Sequence, residues 1–540
     1  MEITAASAIE ISDALTPRTG MLDAPPFHGP RSSARLPPDS YYPRRLGVCM
    51  EESASVTTID YDRLYVAGRW TVPASARRID VRSASTEEPV GSVPEAVEAD
   101  ADAAVAGARR AFDDPVGWSR WEPARRAEAL ERFAVALEKR GAETARRVTV
   151  QNGMPFAVAQ RFEAGTPPRL LRYFSGVMTG SPQEETRQRV SGGSSRVIRE
   201  PVGVVAAIVP WNVPQAITFL KLAPALAAGC TVVLKPAPET VLDAMLLCEA
   251  AVEAELPDGV LSVLPGGREL GGYLVAHPGV DKVSFTGSTA AGRSIAQTCG
   301  QLLRPVTLEL GGKSAAIVLD DADLQATIES FFASTLLNNG QICWLGTRVL
   351  APRSRYREIV DTVTGLAESL RVGDPLAEST QVGPLVSARQ RDRVESYIAK
   401  GQSEGARLTA GGGRPKDLDR GWYVQPTVFA DVDNAHTIAR EEIFGPVLAV
   451  IPYTDEREAI AIANASEYGL GGTVWTTDPD RGEALARRVA SGTIGINAFV
   501  NDPAVPFGGI KASGIGRELG PEGLHAYQLL KTIHLDTTTR

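Results

Sequence analysis

From residue 202 onward the chain alternates short apolar runs with longer stretches in which apolar residues recur at helical spacing. Residues 202–209 form an apolar run of strand length, and 215–228 reads as a helix stopped by Gly229. A strand at 231–234, a helix at 240–256 and strands at 260–264 and 282–286 follow, with a further helix opening after Gly287. Strands that alternate with helices need crossover connections, and these cover both faces of a parallel sheet. The pattern predicts a doubly wound, Rossmann-like α/β domain. A second alternation over 314–497 places strands at 315–319, 347–351, 447–452, 472–475 and 493–496, and predicts a second α/β domain.

Upstream, order is expected to begin with the run 61–66, and amphipathic helices are expected at 99–112 and 124–150. The residues before it differ: Pro17, Pro25, Pro26, Pro30, Pro37, Pro38 and Pro43 interrupt any helical or strand period. They read as a disordered tail ending near Met50. At the other terminus, 531–536 is strand-like, and its exposed edge points to pairing within an oligomer.

Composition narrows the function. The 540 residues are 43% apolar and 22% charged, enough for two or three ordinary domains. Against 65 Asp and Glu stand 56 Lys and Arg, so the chain lacks the basic excess that favours nucleic acid. Its richest apolar stretch, 202–234, is cut by Asn212, Lys221 and prolines, so no membrane span is expected. The N-terminus, opening on acidic Glu2, does not resemble a secretory leader, and the cytoplasm is the expected compartment. The five cysteines, Cys49, Cys230, Cys248, Cys299 and Cys343, include no CxxC pair; neither a disulfide framework nor a bound metal is expected.

Five features carry candidate chemistry. The loop Phe285-Thr286-Gly287-Ser288-Thr289-Ala290-Ala291-Gly292 leaves a strand and opens a helix, where backbone N–H groups suit a phosphate; a purely steric turn uses glycine equally well. Lys235 ends a strand on the side where open α/β sheets bind ligands, although a solvated strand-end lysine fits the same pattern. Asn212 lies among apolar residues, either closing a turn before Pro214 or presenting its amide as an oxyanion donor. Cys343 has polar neighbours that would keep a thiol accessible, whereas Cys230 and Cys248 sit in apolar runs as packing residues. Glu309 interrupts a strand-like run ending in Gly311-Gly312, and burial would raise its pKa into the range of a general base.

These segments, from about Asp60 to the C-terminus, resemble the aldehyde dehydrogenase superfamily in its hydrolytic, non-acylating branch. The resemblance rests on Pro210-Trp211-Asn212-Val213-Pro214, Lys235-Pro236-Ala237-Pro238-Glu239, Phe285-Thr286-Gly287-Ser288 and Leu308-Glu309-Leu310-Gly311-Gly312-Lys313. Gly340-Gln341-Ile342-Cys343, Glu441-Glu442-Ile443-Phe444-Gly445-Pro446 and Pro506-Phe507-Gly508-Gly509-Ile510-Lys511 complete it, in the family's order. It implies oxidation of an aldehyde to the acid with reduction of NAD(P). Cys343 would be the nucleophile, Asn212 the oxyanion donor, Glu309 the base for hydrolysis and Lys221 an aid to proton relay. Lys235 and Glu442 would hold the cofactor riboses, with Pro210, Trp211, Gly266, Gly287, Ser288, Gly292, Leu310 and Phe444 around the cofactor.

NAD is the expected cofactor; Pro238, where NAD-selective members often carry a carboxylate, leaves NADP open. Ile217, Leu220, Trp344, Phe499, Val500 and Phe507 would line an apolar tunnel for a hydrophobic aliphatic, aromatic or terpenoid aldehyde. The implied organisation is a tail over 1–55, a cofactor domain over 56–180 and 202–311, and a catalytic domain over 312–512. A small β oligomerisation element over 181–201 and 513–540 would make a homodimer or homotetramer. A CoA-acylating or semialdehyde-specific member and a catalytically silent relative are the alternatives; Glu309 speaks against acylation to CoA, and Cys343, Asn212 and Glu309 together speak against silence.

Overall fold

The structure, a computed structural model, describes residues 58–535; the expected tail over 1–55 and the end of the terminal strand at Asp536 lie outside them. Its first large sheet has eight strands in the spatial order Gly514–Ile515, Val306–Glu309, Lys282–Thr286, Val204–Ile208, Thr231–Lys235, Leu261–Val263, Leu64–Val66 and Arg69–Thr71. The five strands from Val306–Glu309 to Leu261–Val263 are parallel, and antiparallel strands flank them on both sides. Side-chain alternation divides the core into two layers. Val204, Ala206 and Ile208 pack with Ala104, Leu270 and Cys299 on one face, and Val205, Ala207 and Val209 pack with Phe133, Phe219 and Leu247 on the other.

Register aligns the carboxyl ends of these strands: Ile208 pairs with both Lys235 and Phe285, and Thr286 pairs with Glu309. The loops that leave this edge therefore share one crevice. Helix Pro214–Ala228 follows the central strand, with proline at its first position and Gly229 left-handed at φ 97° past its end. It is almost wholly buried, Lys221 included.

A second sheet runs in the order Arg407–Ala410, Thr427–Ala430, Val447–Tyr453, Arg348–Pro352, Ala315–Val318, Gly472–Trp475 and Gly495–Ile496, parallel except at its first strand. Two three-stranded sheets complete the fold: Gln528–Leu535, Ser194–Pro201 and Glu184–Gln188 in one, Ile59–Asp60, Pro89–Pro94 and Arg78–Arg82 in the other. Among the described residues no helix is long and apolar enough to cross a membrane.

Several expected elements change. The helix expected at 124–150 breaks into Pro123–Lys139 and Gly141–Asn152, because the Arg140 N–H turns back to Leu137 O and the chain restarts at a glycine. The helix expected at 240–256 shortens to Leu242–Glu253 behind a single turn at Pro238–Thr240. The run 61–66 yields only Leu64–Val66, and 493–496 only Gly495–Ile496. The terminal strand is longer than expected, Gln528–Leu535.

The buried Arg348 ties the second sheet to the loops around it, donating to Lys313 O, Asn434 Oδ1, Ile462 O and Ala463 O. Replacing it by leucine leaves those acceptors unpaired in the interior. Arg348→Leu is expected to cost about 3–5 kcal/mol, seen as a lowered Tm by differential scanning fluorimetry; an unchanged Tm would remove Arg348 from this role.

Candidate active site

The crevice at the strand ends holds a cation, a carboxylate and a helix N-terminus. Lys235 Nζ donates to Gly266 O at 2.6 Å and Pro236 O at 3.1 Å, which leaves an N–H for a ligand hydroxyl. Burial lowers its pKa to about 8, with Glu239 opposing. Gly287 N donates to Glu309 O, and Ser288 Oγ accepts from Ala291 N to cap helix Thr289–Gln301. A Cβ on Gly292 would stand 2.5 Å from the Leu310 side chain, so that side chain packs directly on the first turn of this helix.

Across the crevice, Glu442 Oε1 accepts from Gly312 N at 3.0 Å, and burial raises its pKa to about 7 against that hydrogen bond. Phe444, left-handed at φ 63°, meets Trp211 edge to face at 5.4 Å, just beyond Pro210. An ammonium and a carboxylate for ribose hydroxyls, and backbone N–H groups at a capped helix start for phosphate, fit a dinucleotide. Among the described residues no group of three or more His, Cys, Asp and Glu could hold a metal ion.

Deeper in, three segments meet. Asn212, buried, donates from Nδ2 to Gln341 O at 2.9 Å, which leaves one N–H of the amide uncommitted among the described residues. The loop to Cys343 passes through three consecutive left-handed residues, Asn338, Asn339 and Gly340, at φ 52°, 59° and 74°. Gly340 is required there, since a Cβ would overlap the carbonyl of Gly445. Cys343 is half-buried against the apolar cluster of the first sheet. Burial pushes its thiol pKa far up, and the charges of Glu442 and Glu309 add to the shift.

Glu309 is buried with neither carboxylate oxygen hydrogen-bonded among the described residues. Burial, then the charge of Glu518, drives its pKa well above the usual carboxylate range, against Lys221 and Arg517. Lys221 Nζ donates to Glu518 Oε1 at 2.5 Å and Thr286 Oγ1 at 2.7 Å. Sequence reasoning missed Glu518; the signal available was Lys221 itself, a lysine in an apolar helix that requires a counter-charge.

Of the expected tunnel residues, Ile217, Trp344, Phe499 and Phe507 are buried in the cluster that Cys343 touches, with Leu220 partly buried against it. Trp344 and Phe499 stack in parallel at 4.3 Å and 8°. Val500 departs from the expectation: it is 59% exposed and outside this cluster, because the chain turns outward after Phe499.

The sequence profile of the aldehyde dehydrogenase family matches residues 70–533. A geranial dehydrogenase of Castellaniella defragrans is 55% identical over 478 residues, 88% of this chain and 99% of that protein. Mycobacterium tuberculosis aldehyde dehydrogenase complexed with NAD+ superposes with a TM-score of 0.87 at 50% identity, covering 90% of this chain and 100% of that one. A mutant of Pseudomonas syringae aldehyde dehydrogenase C, solved with NAD+ and octanal, gives 0.83 at 38% identity, covering 88% and 96%.

A thiol held neutral by burial reacts slowly with alkylating agents. Iodoacetamide labelling of Cys343, followed by mass spectrometry, is expected to accelerate as pH rises above neutral, and Glu442→Gln to be faster at pH about 8 because one opposing charge is gone. A pH-independent rate would contradict the raised thiol pKa.

Proposed function

The chain belongs to the aldehyde dehydrogenase family and is an NAD-dependent aldehyde dehydrogenase, and we propose that it oxidises a hydrophobic, aliphatic or terpenoid aldehyde through a thioester on Cys343. The observation that carries this reading is the convergence of Cys343, Asn212 and Glu309 beside the apolar cluster of Trp344, Phe499 and Phe507. The geranial dehydrogenase relative and the neighbour solved with octanal support the substrate class.

Cys343 gives up its thiol proton to solvent water, its Sγ adds to the aldehyde carbon, and the carbonyl π electrons move onto oxygen. The free N–H of the Asn212 amide and the Cys343 backbone N–H hold that oxyanion. Bound NAD supplies the acceptor for the hydride that the thiohemiacetal carbon loses in becoming a thioester. Glu309, ionised, takes a proton from water as the water oxygen adds to the thioester carbon; the C–S bond then breaks, releasing the acid, and the proton passes from Glu309 to the departing sulfur, which restores both the thiol and the carboxylate. Lys235 and Glu442 would hold the cofactor riboses and Gly287 and Ser288 its phosphates, and Pro210, Trp211, Gly266, Gly292, Leu310 and Phe444 would shape its cleft.

The same reading assigns cofactor binding to 56–180 and 202–311 and the thiol chemistry to 312–512, in the cytoplasm. One strand departs from the expected organisation: Gly514–Ile515, within the 513–540 segment of the oligomerisation element, pairs with Leu308 and Glu309 in the first sheet. The sheet built on Ser194–Pro201 would make the oligomer contact. Its outer strand, Gln528–Leu535, has one edge without a partner among the described residues, and it exposes Leu529, Leu530 and Ile533. Light scattering is expected to give a dimer or tetramer, with Leu530→Lys and Ile533→Lys together shifting it toward monomer; an unshifted oligomer would refute this contact.

In rapid mixing with NAD, Glu309→Gln is expected to give a hydride burst of about one equivalent and then stall, because acylation precedes the step that needs the base. Run over aldehydes of increasing chain length, including a prenyl aldehyde and a charged semialdehyde, the burst should favour the long apolar ones. Undiminished steady-state turnover would remove Glu309 from the base role, and preference for the semialdehyde would overturn the substrate class.

A further inference from the structure

The loops that carry the proposed oxyanion donor and the proposed nucleophile hold each other reciprocally. Asn212 Nδ2 donates to Gln341 O at 2.9 Å, and Asn338 Nδ2 donates back to Asn212 O at 3.0 Å. Asn152, at the end of helix Gly141–Asn152, braces the same turn from outside, donating to Trp211 O at 2.5 Å and Asn212 O at 3.3 Å. Asn339 anchors the other loop, donating to Gly153 O and Pro384 O and accepting from Gly383 N.

Two features separate this clasp from ordinary packing. Asn338 is held left-handed at φ 52° inside a run of three such residues, a conformation that costs free energy and persists only where surroundings enforce it. Its Oδ1 is also buried without a partner among the described residues, so the side chain is retained there for its N–H donor at the expense of its acceptor. That donor goes to the backbone of Asn212, the residue whose amide is the proposed oxyanion donor.

Resting on the assignment of Asn212 as oxyanion donor, we propose that Asn338 is a positioning residue: by gripping Asn212 O it sets the separation and angle between the Asn212 amide and Cys343. Of the two Asn212 N–H groups one is committed to Gln341 O, so the direction of the other follows from where the Asn212 backbone is held.

Asn338→Gly tests this, because glycine adopts the left-handed backbone without strain and removes only the side chain. Its hydride burst is expected to slow by about 10-fold or more, a part of the 10²–10³ that loss of an oxyanion donor costs, with the Kd for NAD unchanged by fluorescence titration. In an Asn212→Ala background the same substitution should slow the burst by less than about twofold further. Equal losses in both backgrounds, or an unaltered burst in the single variant, would overturn the inference. An unaltered burst in Asn212→Ala alone would instead sink the assignment of Asn212, and this inference with it. If the glycine variant does not fold, Asn338→Asp keeps the size while exchanging the N–H₂ for oxygen. Its burst relative to the unsubstituted enzyme should rise as pH falls, since a protonated carboxyl donates again; a ratio flat with pH overturns the proposal.

Discussion

The ion pair between Lys221 and Glu518 is the constraint around which the centre of this molecule is arranged. An ammonium on a helix as apolar as Pro214–Ala228 is stable only with a counter-charge at contact distance, and 2.5 Å from Lys221 Nζ that charge is Glu518 Oε1. The two residues lie 297 positions apart, so the pair fastens the C-terminal segment over the first sheet. Phe507 and Glu518 exchange backbone hydrogen bonds at 2.7 and 2.8 Å, which brings an aromatic wall of the apolar cluster to the same place. With Lys221 paired to Glu518, Glu309 is a third ionisable group with no ion pair of its own among the described residues. Burial and the charge of Glu518 then act in the same direction and hold its proton on.

The helix that bears Lys221 also sets the rest of the chemistry. The loop entering it carries Trp211 and Asn212, and its first two turns carry Ile217 and Leu220. Its N-cap residue, Val213, offers no side-chain acceptor; the carboxylate of Glu163 supplies one from another helix, accepting from Gln215 N at 2.6 Å. A helix fixed at its start by Glu163 and along its length by Glu518 leaves Asn212 little freedom.

The central strands of both large sheets were legible in the sequence because buried parallel strands are unbroken apolar runs, as at Val204–Ile208 and Thr231–Lys235, whereas Arg69–Thr71, Arg407–Ala410, Thr427–Ala430 and Gly514–Ile515 were not read as strands. Glu309 stood out for the complementary reason, a charge where the pattern demands an apolar side chain, whereas Lys235 stood out by its place at a strand end and the role of Lys221 came from the family resemblance. The small sheets carry no such signal, since Glu184–Gln188 is almost wholly exposed and its polar sequence reads as loop. Glu518 was silent as well. It follows Gly514-Ile515-Gly516-Arg517, where a charge is unremarkable, and nothing local marks it as the partner of a lysine so far away. Asn338 and Asn152 were equally hidden, because what they do lies in backbone carbonyls that only the tertiary fold brings to them.

Burial biases the Cys343 thiol and the Glu309 carboxyl toward their protonated forms, and beside them the Lys221 ammonium is paired with Glu518. On the proposed roles the Glu309 carboxyl must be ionised before it can act, and burial opposes that. The proton that burial favours must depart before the carboxylate can take one from water. The acceptors at hand for that departure are the Thr286 hydroxyl, which Lys221 touches, and Glu518 Oε2, which has no hydrogen-bond partner among the described residues. The ion pair that organises the fold thus also lies where that deprotonation needs an exit, which gives a physical reason for keeping charge in an interior that packing alone would fill with apolar side chains.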